Sequence, residues 1–138
     1  MASIVNTEPR NNMLQNPGFE DGLDGWAVSY GGNFTQVGEP VKSGTYAASL
    51  SITSINDEWI YQTVPVVPDG SYNFSGWAMM DAPEHTSVYL QISWYESEDG
   101  YGEISHIDSS TILKDNLGNY TLLTTGDVQA YPNERSAR

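Results

Sequence analysis

The chain has 138 residues, enough for one domain that buries most of its apolar surface without covalent staples. It contains no cysteine, which excludes disulfide bonds and thiolate metal sites. Eighteen acidic residues against five Lys and Arg give a formal net charge of −13, so nucleic acid phosphates and anionic membrane surfaces are poor partners.

The first twelve residues, MASIVNTEPRNN, lack the apolar core of a signal peptide or a membrane span. We expect an unstructured, flexible leader over residues 1–12 and a single domain over residues 13–138. Two origins stay open: export information was removed, or the protein is made and used without a cleaved leader.

Residues 13–26, MLQNPGFEDGLDGW, combine a tight turn with acidic side chains. Proline donates no backbone hydrogen bond and glycine tolerates unusual dihedral angles, so Asn-Pro-Gly turns the chain and leaves carbonyl oxygens pointing outward. We expect Phe19 to enter the core and Glu20 to point to the turn. A carboxylate beside exposed carbonyls suits calcium, but turns with acidic residues are common and a purely structural turn is the alternative.

Two stretches in the middle of the chain alternate with a period of two, which is typical of strands with one buried face. In YNFSGWAM the two sides carry Tyr72, Phe74, Gly76 and Ala78 against Asn73, Ser75, Trp77 and Met79. In SVYLQISWYE they carry Val88, Leu90, Ile92 and Trp94 against Tyr89, Gln91, Ser93 and Tyr95.

Further strands are predicted near residues 34–37, 47–52, 59–66, 105–107 and 120–125. The turn clusters GGN, KSG, PDG, EDGYG, NLGN and TGD separate them. No window repeats apolar residues at helical spacing together with a cap and a stop. The sequence therefore predicts an all-β protein, an antiparallel sandwich or barrel.

Three stretches, LQNPGFEDGLDGW, KSGTYAASL and WIYQTVPVVPDGSYNFSGWAM, occur in an order that resembles carbohydrate-binding modules of the galactose-binding-like jelly-roll type. Families four, nine, sixteen and twenty-two are the most similar. The resemblance runs from Leu14 to about Arg138, and the NPGFE…GW opening followed by the Q-x-V-x-V-x-x-G-x-Y block is its most specific part. It implies a jelly-roll β-sandwich of two antiparallel sheets with a structural calcium away from the sugar.

The resemblance also implies a ligand set for this calcium. Glu20 would supply a side-chain oxygen, Gly18 a backbone carbonyl, and the loop at Lys42 and Ser43 further carbonyls. Trp26, in the GW position, is expected to pack in the fold and not to bind sugar.

The chain departs from the family at its end. Modules of this type finish with an Ala-Arg-like strand and a last strand whose aspartate also holds the metal, but this sequence stops at ERSAR. We expect the closing hairpin to be missing, which removes one calcium ligand and leaves two strands without neighbours. The gap would be filled by the leader, by a second copy of the chain that pairs with the unpaired C-terminal edge, or by nothing.

Polysaccharide binding needs flat aromatic faces for stacking and planar polar groups for hydroxyls. The outward sides of the predicted strands offer both, and we expect one sheet face to bind the polysaccharide. The candidate ligand-binding residues are Trp59, Gln62, Trp77, Tyr89, Gln91 and Tyr95. The alternative is a solvated sheet face with Trp77 partly buried under a loop. Trp94 alternates with the buried residues and is not a candidate.

Catalytic patterns are weak. His85 and His106 lie in polar, loop-like contexts without metal-ligand spacing, and we expect both to be solvated. Acidic pairs such as Glu96 with Glu98 imitate a glycosidase dyad, but they fall in acidic turns and a solvated charge run is the simpler interpretation. We expect no enzymatic activity.

Two functions from different classes remain. The first is a non-catalytic carbohydrate-binding module of a secreted, extracellular protein, with a polysaccharide or other glycan as its partner. The second is a structural or interaction domain on a virus particle or cell surface, as a strand-exchanged oligomer. The first is the predicted function, and the second is the alternative, supported by the initiator methionine without a signal peptide, the solvated leader and the missing closing hairpin.

Overall fold

The computed structural model of the chain describes the main chain of residues 2–6 and all atoms of residues 11–29, 33–51, 57–81, 87–115 and 117–138. Throughout these ranges the regular secondary structure is β-strand, and the strands pair antiparallel. The predicted all-β antiparallel sandwich is therefore confirmed. Within the same ranges, no helix is long and apolar enough to span a bilayer.

The strands follow one another closely along the chain. They are β1 (Ala2–Asn6), β2 (Ala27–Val28), β3 (Asn33–Val37), β4 (Ala47–Ser51), β5 (Ile60–Tyr61), β6 (Val64–Pro65), β7 (Ser71–Ala78), β8 (Gln91–Tyr95), β9 (Ile104–Ser109), β10 (Thr121–Gln129) and β11 (Ser136–Ala137). The predicted strands near residues 34–37, 47–52, 59–66, 105–107 and 120–125 match these elements, except that Ile52 lies outside the described residues.

One compact unit comprises Leu14–Gln62. It holds two antiparallel pairs, β2 with β5 and β3 with β4. Phe19 is buried at its centre, with its ring centroid 5.1 Å from that of Trp26 and 6.2 Å from that of Phe34. Phe19 thus enters the core as expected.

The other compact unit comprises Ala2–Met13 and Thr63–Arg138. A three-stranded sheet has the order β1-β7-β10, and a four-stranded sheet has the order β6-β11-β8-β9. Tyr72 of β7 and Trp94 of β8 meet edge to face, with ring centroids 5.7 Å apart, and both rings are buried. The two sheets of this unit therefore share a core, as in a sandwich.

A second part of this core lies where β7 ends. Met80, Leu113 and Leu123 form a buried cluster, against which Ala78, Val88 and Leu90 pack. Six residues that the alternating pattern predicts to be buried are therefore found in the core. Tyr72, Ile92 and Trp94 are buried, and Ala78, Val88 and Leu90 are partly buried.

The N-terminal segment differs from the expected flexible leader. Ala2–Asn6 form β1, which pairs with β7 from Ala2 opposite Gly76 to Asn6 opposite Tyr72. The prediction failed because five residues without polar alternation give little local signal, whereas an available edge of β7 offers a full set of backbone partners. The leader thus adds a strand to the β7 edge of the three-stranded sheet.

The C-terminal segment ERSAR enters the interior of the four-stranded sheet. Ser136 and Ala137 of β11 pair with β6 on one side and β8 on the other, and both side chains are buried. Further backbone bonds run from Val66 N to Arg135 O at 2.9 Å and from Arg138 N to Ser93 O at 2.8 Å. The expectation of an unpaired C-terminal edge is therefore wrong, because Ser136–Ala137 form a strand with a hydrogen-bonded partner on each side.

Candidate functional site

The outer face of the β7–β10 pair carries the best candidate site. Along β7, Tyr72 and Gly76 are buried while Trp77 is 40% exposed, which confirms the predicted alternation. Trp77 lies opposite Leu122 of β10, whose side chain is also exposed. The outward residues of the two strands, called here the Trp77 face, are Asn73, Ser75, Trp77, Leu122, Thr124 and Asp127.

Polar side chains on the Trp77 face are hydrogen-bonded to one another. Asn73 Nδ2 donates to Asp127 Oδ1 at 3.4 Å, and Thr124 Oγ1 donates to Asn73 Oδ1 at 3.2 Å. These bonds hold an amide, a carboxylate and a hydroxyl in place on the same sheet face as an apolar patch of Trp77 and Leu122, with the Asn73–Asp127 pair about 13 Å from Trp77 along β7. A stacking surface next to preordered polar groups is the arrangement that sugar recognition requires.

A bulge in β10 produces this grouping. The register shifts between Thr124 and Asp127, where Gly126 has a φ of 69°. The extra residue places Asp127 opposite Asn73. The TGD stretch, predicted as a turn between strands, is therefore a bulge inside a nine-residue strand.

The remaining candidates in this unit do not join the Trp77 face, because they belong to β8 or precede it. Tyr89 is exposed, and its neighbours Val88 and Leu90 pack on the core cluster. Gln91 is half-buried and donates from Nε2 to Ser93 Oγ at 2.9 Å. The candidates of this unit therefore do not share one sheet face as expected, because Trp77 lies on β7 and Gln91 and Tyr95 lie on β8, which belong to different sheets.

Tyr95 differs most from its prediction. Its side chain is 5% exposed, and the guanidinium of Arg138 lies 5.4 Å from its ring centroid. Four successive residues of β8, Ile92 to Tyr95, are buried, so both faces of this strand are covered. Alternation identified the two faces correctly but could not show that both are packed against protein.

The candidates in the Leu14–Gln62 unit have different environments. Trp59 has an exposed side chain, and its main chain is held by Trp59 N donating to Ser29 Oγ and Ser29 N donating to Trp59 O, each at 2.8 Å. Gln62, expected to face a sugar, is buried. Its amide accepts from Gln15 N at 3.0 Å and donates to Gln15 O at 2.6 Å, so it braces the chain instead.

Trp26 is placed as expected for a packing residue. Its ring lies against Phe19, and its Nε1 donates to Asn16 O at 3.0 Å. Asn16 in turn organises the opening turn, because Asn16 Nδ2 donates to Gly22 O at 3.0 Å and Asn16 Oδ1 accepts from Asp21 N at 3.1 Å. Asn16 and Trp26 in this turn therefore stabilise the fold through packing and hydrogen bonds.

The proposed calcium ligands are only partly arranged for a cation. Glu20 Oε1 accepts from Thr45 N at 3.0 Å and Tyr46 N at 3.3 Å, while Oε2 accepts from Thr45 N at 3.3 Å. Gly44 packs so tightly on this carboxylate that a Cβ atom would collide with it. The KSG loop thus lies against Glu20 through Gly44, while the ligand set of Glu20 with Gly18, Lys42 and Ser43 stays a prediction.

The chemistry of this donor set is compatible with calcium. A carboxylate oxygen has two acceptor positions, so Oε2 of Glu20 keeps one for a cation beside backbone carbonyls. Among the described residues, no three His, Cys, Asp or Glu side chains group as a metal site. Glu20 would be the side-chain ligand and Gly18, Lys42 and Ser43 the carbonyl donors.

Sequence reasoning missed the environment of His106. This residue lies in β9, mostly buried, with Nδ1 2.6 Å from Glu134 Oε1 and Nε2 3.3 Å from Asp108 Oδ2. The prediction of a solvated loop histidine is therefore wrong, because Glu134 reaches it from 28 residues away in sequence. The sequence ISHIDS offered no signal for this, because Ile104 and Ile107 fall on opposite faces of β9 and both are exposed. His85 lies outside the described residues.

Comparison with known proteins identifies the family of the chain. The chain matches the family described as Carbohydrate binding domain, CBM types four and nine, over residues 11–131. It is 38% identical over 65 residues to Exochitinase 1 of Streptomyces olivaceoviridis; the match covers 47% of this chain and 10% of that protein. The chain thus spans about a tenth of that relative. The family match extends over most of the described strands, and the chain belongs to the carbohydrate-binding domain family of types four and nine.

Proposed function

We propose that this protein is a non-catalytic module that binds a polysaccharide on the Trp77 face. The observation that carries the proposal is an exposed indole on the same sheet face as a hydrogen-bonded set of polar side chains, in a chain of the carbohydrate-binding domain family. Stacking of a pyranose ring on Trp77 would provide most of the affinity, because hydrogen bonds to sugar hydroxyls nearly balance those lost to water.

The polar groups of the Trp77 face would supply selectivity. Asn73 offers an amide and Asp127 a carboxylate acceptor, and their mutual bond limits the side-chain entropy lost on binding. A site that pairs hydroxyl groups rejects ligands that lack them, because its own polar groups would remain unpaired. Asn73 lies four residues before Trp77 on β7, about 13 Å along the strand, so the preferred polysaccharide is one that places one ring on Trp77 and the hydroxyls of another sugar unit at Asn73 and Asp127.

The relative suggests a first ligand to test. Because the matched segment belongs to a protein named as an exochitinase, β-linked N-acetylglucosamine polymers are the leading candidates. The module would act outside the cell as part of a secreted protein, raising the local concentration of an attached domain on an insoluble substrate.

Two observations support a role without catalysis. Modules of this family are generally non-catalytic. The side chain of His106 has both ring nitrogens facing carboxylates and both ring faces covered by aromatic rings, so it is not available as a general base for a substrate.

Trp59 and Tyr89, both exposed, remain predicted additional contacts with the glycan.

A Trp77→Ala variant tests the proposal. We expect it to weaken binding about tenfold or more in affinity electrophoresis against glycol chitin, xylans, glucans and mannans, since one stacking contact is lost. The circular dichroism spectrum should stay unchanged because the indole is on the surface. Tyr46→Ala, at an aromatic ring of nearly equal exposure (39% against 40%), is the matched control and should bind like the wild type.

Two results would contradict the proposal. Retardation of the wild type by none of these glycans would remove the binding function. Retention of full affinity by Trp77→Ala would move the binding site away from the Trp77 face, and the same substitution at Trp59 or Tyr89 would then identify the aromatic ring that is used.

A further inference from the structure

Three aromatic rings are stacked from the surface into the core of the Thr63–Arg138 unit. Tyr131, which follows β10, stacks on His106 with ring centroids 3.9 Å apart and planes inclined by 14°. His106 stacks in turn on Trp94, at 5.4 Å and 8°. Trp94 is fully buried, whereas Tyr131 is 55% exposed. One face of the Tyr131 ring is therefore covered by protein, and the other is presented to solvent.

A buried carboxylate holds this outer ring in place. Glu134 is 0% exposed, and its Oε2 accepts a hydrogen bond from Tyr131 N at 2.6 Å, while its Oε1 lies 2.6 Å from His106 Nδ1. Trp94 Nε1 donates to Asp108 Oδ2 at 2.8 Å, which lies 3.3 Å from His106 Nε2. The main chain and the ring of Tyr131 are both fixed by groups that are themselves buried or bonded.

A fixed, half-exposed ring is well suited to stacking on a flat ligand. A free surface tyrosine loses side-chain entropy when a ligand orders it, whereas Tyr131 has already lost it in folding. Covering His106 alone would not require a ring that leaves more than half of its surface in water. Tyr101 is an exposed tyrosine of a different kind. Its side chain is 72% exposed and lines an open pocket of about 570 Å³ with Glu96 and Glu103. The guanidinium of Arg138 lies 5.5 Å from the centroid of its ring.

We propose that Tyr131 is a second, preordered stacking subsite for a pyranose ring of the bound glycan. This inference rests on the proposed function. Leu122, opposite Trp77, and Gln129, just before Tyr131, are at opposite ends of β10, on the order of 20 Å apart along the strand. Trp77 and Tyr131 are thus separate contact points, and each adds its own contribution to the binding of a polysaccharide.

Three variants test the subsite with the full chain and a soluble polysaccharide that retards the wild type. Tyr131→Ala should raise the Kd about three- to tenfold, the range of one aromatic stacking contact. Tyr131→Phe keeps the ring and should stay within about twofold of the wild-type Kd. Tyr101→Ala is the matched control, at an exposed tyrosine whose ring lies beside the Arg138 guanidinium instead of on an aromatic stack, and should also stay within about twofold. Thermal unfolding of each variant, followed by circular dichroism, verifies that binding is measured on folded protein.

Each other outcome has a definite meaning. Wild-type affinity in Tyr131→Ala, with binding lost in Trp77→Ala, overturns the subsite and leaves the proposed function standing. An equal loss of affinity in Tyr131→Ala and Tyr131→Phe, or a loss at Tyr101 instead, also overturns it. A wild type that binds no glycan overturns the proposed function, and the subsite with it.

Discussion

Asn16 shows how one side chain at the residue scale organises the opening turn. Its φ is 44°, a conformation that asparagine tolerates better than most residues, and its amide bonds Gly22 O, Asp24 O and Asp21 N. Phe19, with a φ of 61°, is the less usual case, because a bulky residue rarely adopts positive φ. Its burial against Trp26 offsets the conformational cost.

We predict at this scale that Trp26→Ala destabilises the fold by about 2 kcal/mol, less than a fully buried tryptophan because its ring is half-exposed. The loss comprises the contact with Phe19 and the bond to Asn16 O. Urea denaturation measures it. Trp59→Ala, at an exposed indole, is the control and should change the unfolding free energy by less than about 0.5 kcal/mol. A larger loss of unfolding free energy in Trp59→Ala than in Trp26→Ala would contradict the assignment of Trp26 as a packing residue.

At the scale of elements, β10 depends on its bulge. Gly126 allows the shift in register that brings Asp127 to Asn73, because its φ of 69° is accessible to glycine without strain. A regular strand would turn the residues after Thr124 to the opposite faces, since side chains alternate with a period of two. The polar part of the Trp77 face is therefore a property of two paired strands and the bulge between them.

We predict that Gly126→Ala destabilises the protein by about 1 kcal/mol, because alanine is strained at this φ although nothing lies within 4 Å of a Cβ atom there. Gly38→Ala is a matched control: its Cβ would also meet open space, and its φ is not in the left-handed region. It should be neutral or slightly stabilising. Equal unfolding free energies of the two variants would show that the bulge does not need glycine.

The net charge of −13 acts on the whole molecule. Repulsion between like charges disfavours the compact state, and added ions reduce this repulsion. Any divalent cation is therefore expected to stabilise the fold somewhat, whether or not it occupies a site. A calcium effect is specific only where it exceeds that of magnesium at the same concentration.

We predict that calcium raises the Tm above its value in chelator by on the order of 5 °C, more than magnesium does, because Glu20 and the KSG loop would bind it in the folded state alone. Glu20→Gln keeps the side-chain size but removes the charged ligand. In this variant calcium and magnesium should act alike. A wild-type Tm that is insensitive to the chelator, or an undiminished calcium effect in Glu20→Gln, would exclude this site.

What the sequence determined by itself is local or carried by motifs. Alternation with a period of two assigned Tyr72 and Trp94 to buried faces and Trp77 and Tyr89 to exposed faces. This works because a strand with one buried face alternates apolar and polar side chains. The NPGFE…GW opening and the block after Trp59 were enough to indicate the family, since such motifs describe turns and close contacts within a few residues.

Only the tertiary structure decided which faces meet protein and which meet solvent. Alternation cannot show that β8 is covered on both sides, so Tyr95 was predicted to be exposed and is buried. Nor could it reveal β1 beside β7, or the distant Glu134 that anchors His106 and Tyr131. Pairing between strands far apart in sequence depends on the free energy of the whole fold, which no local pattern encodes.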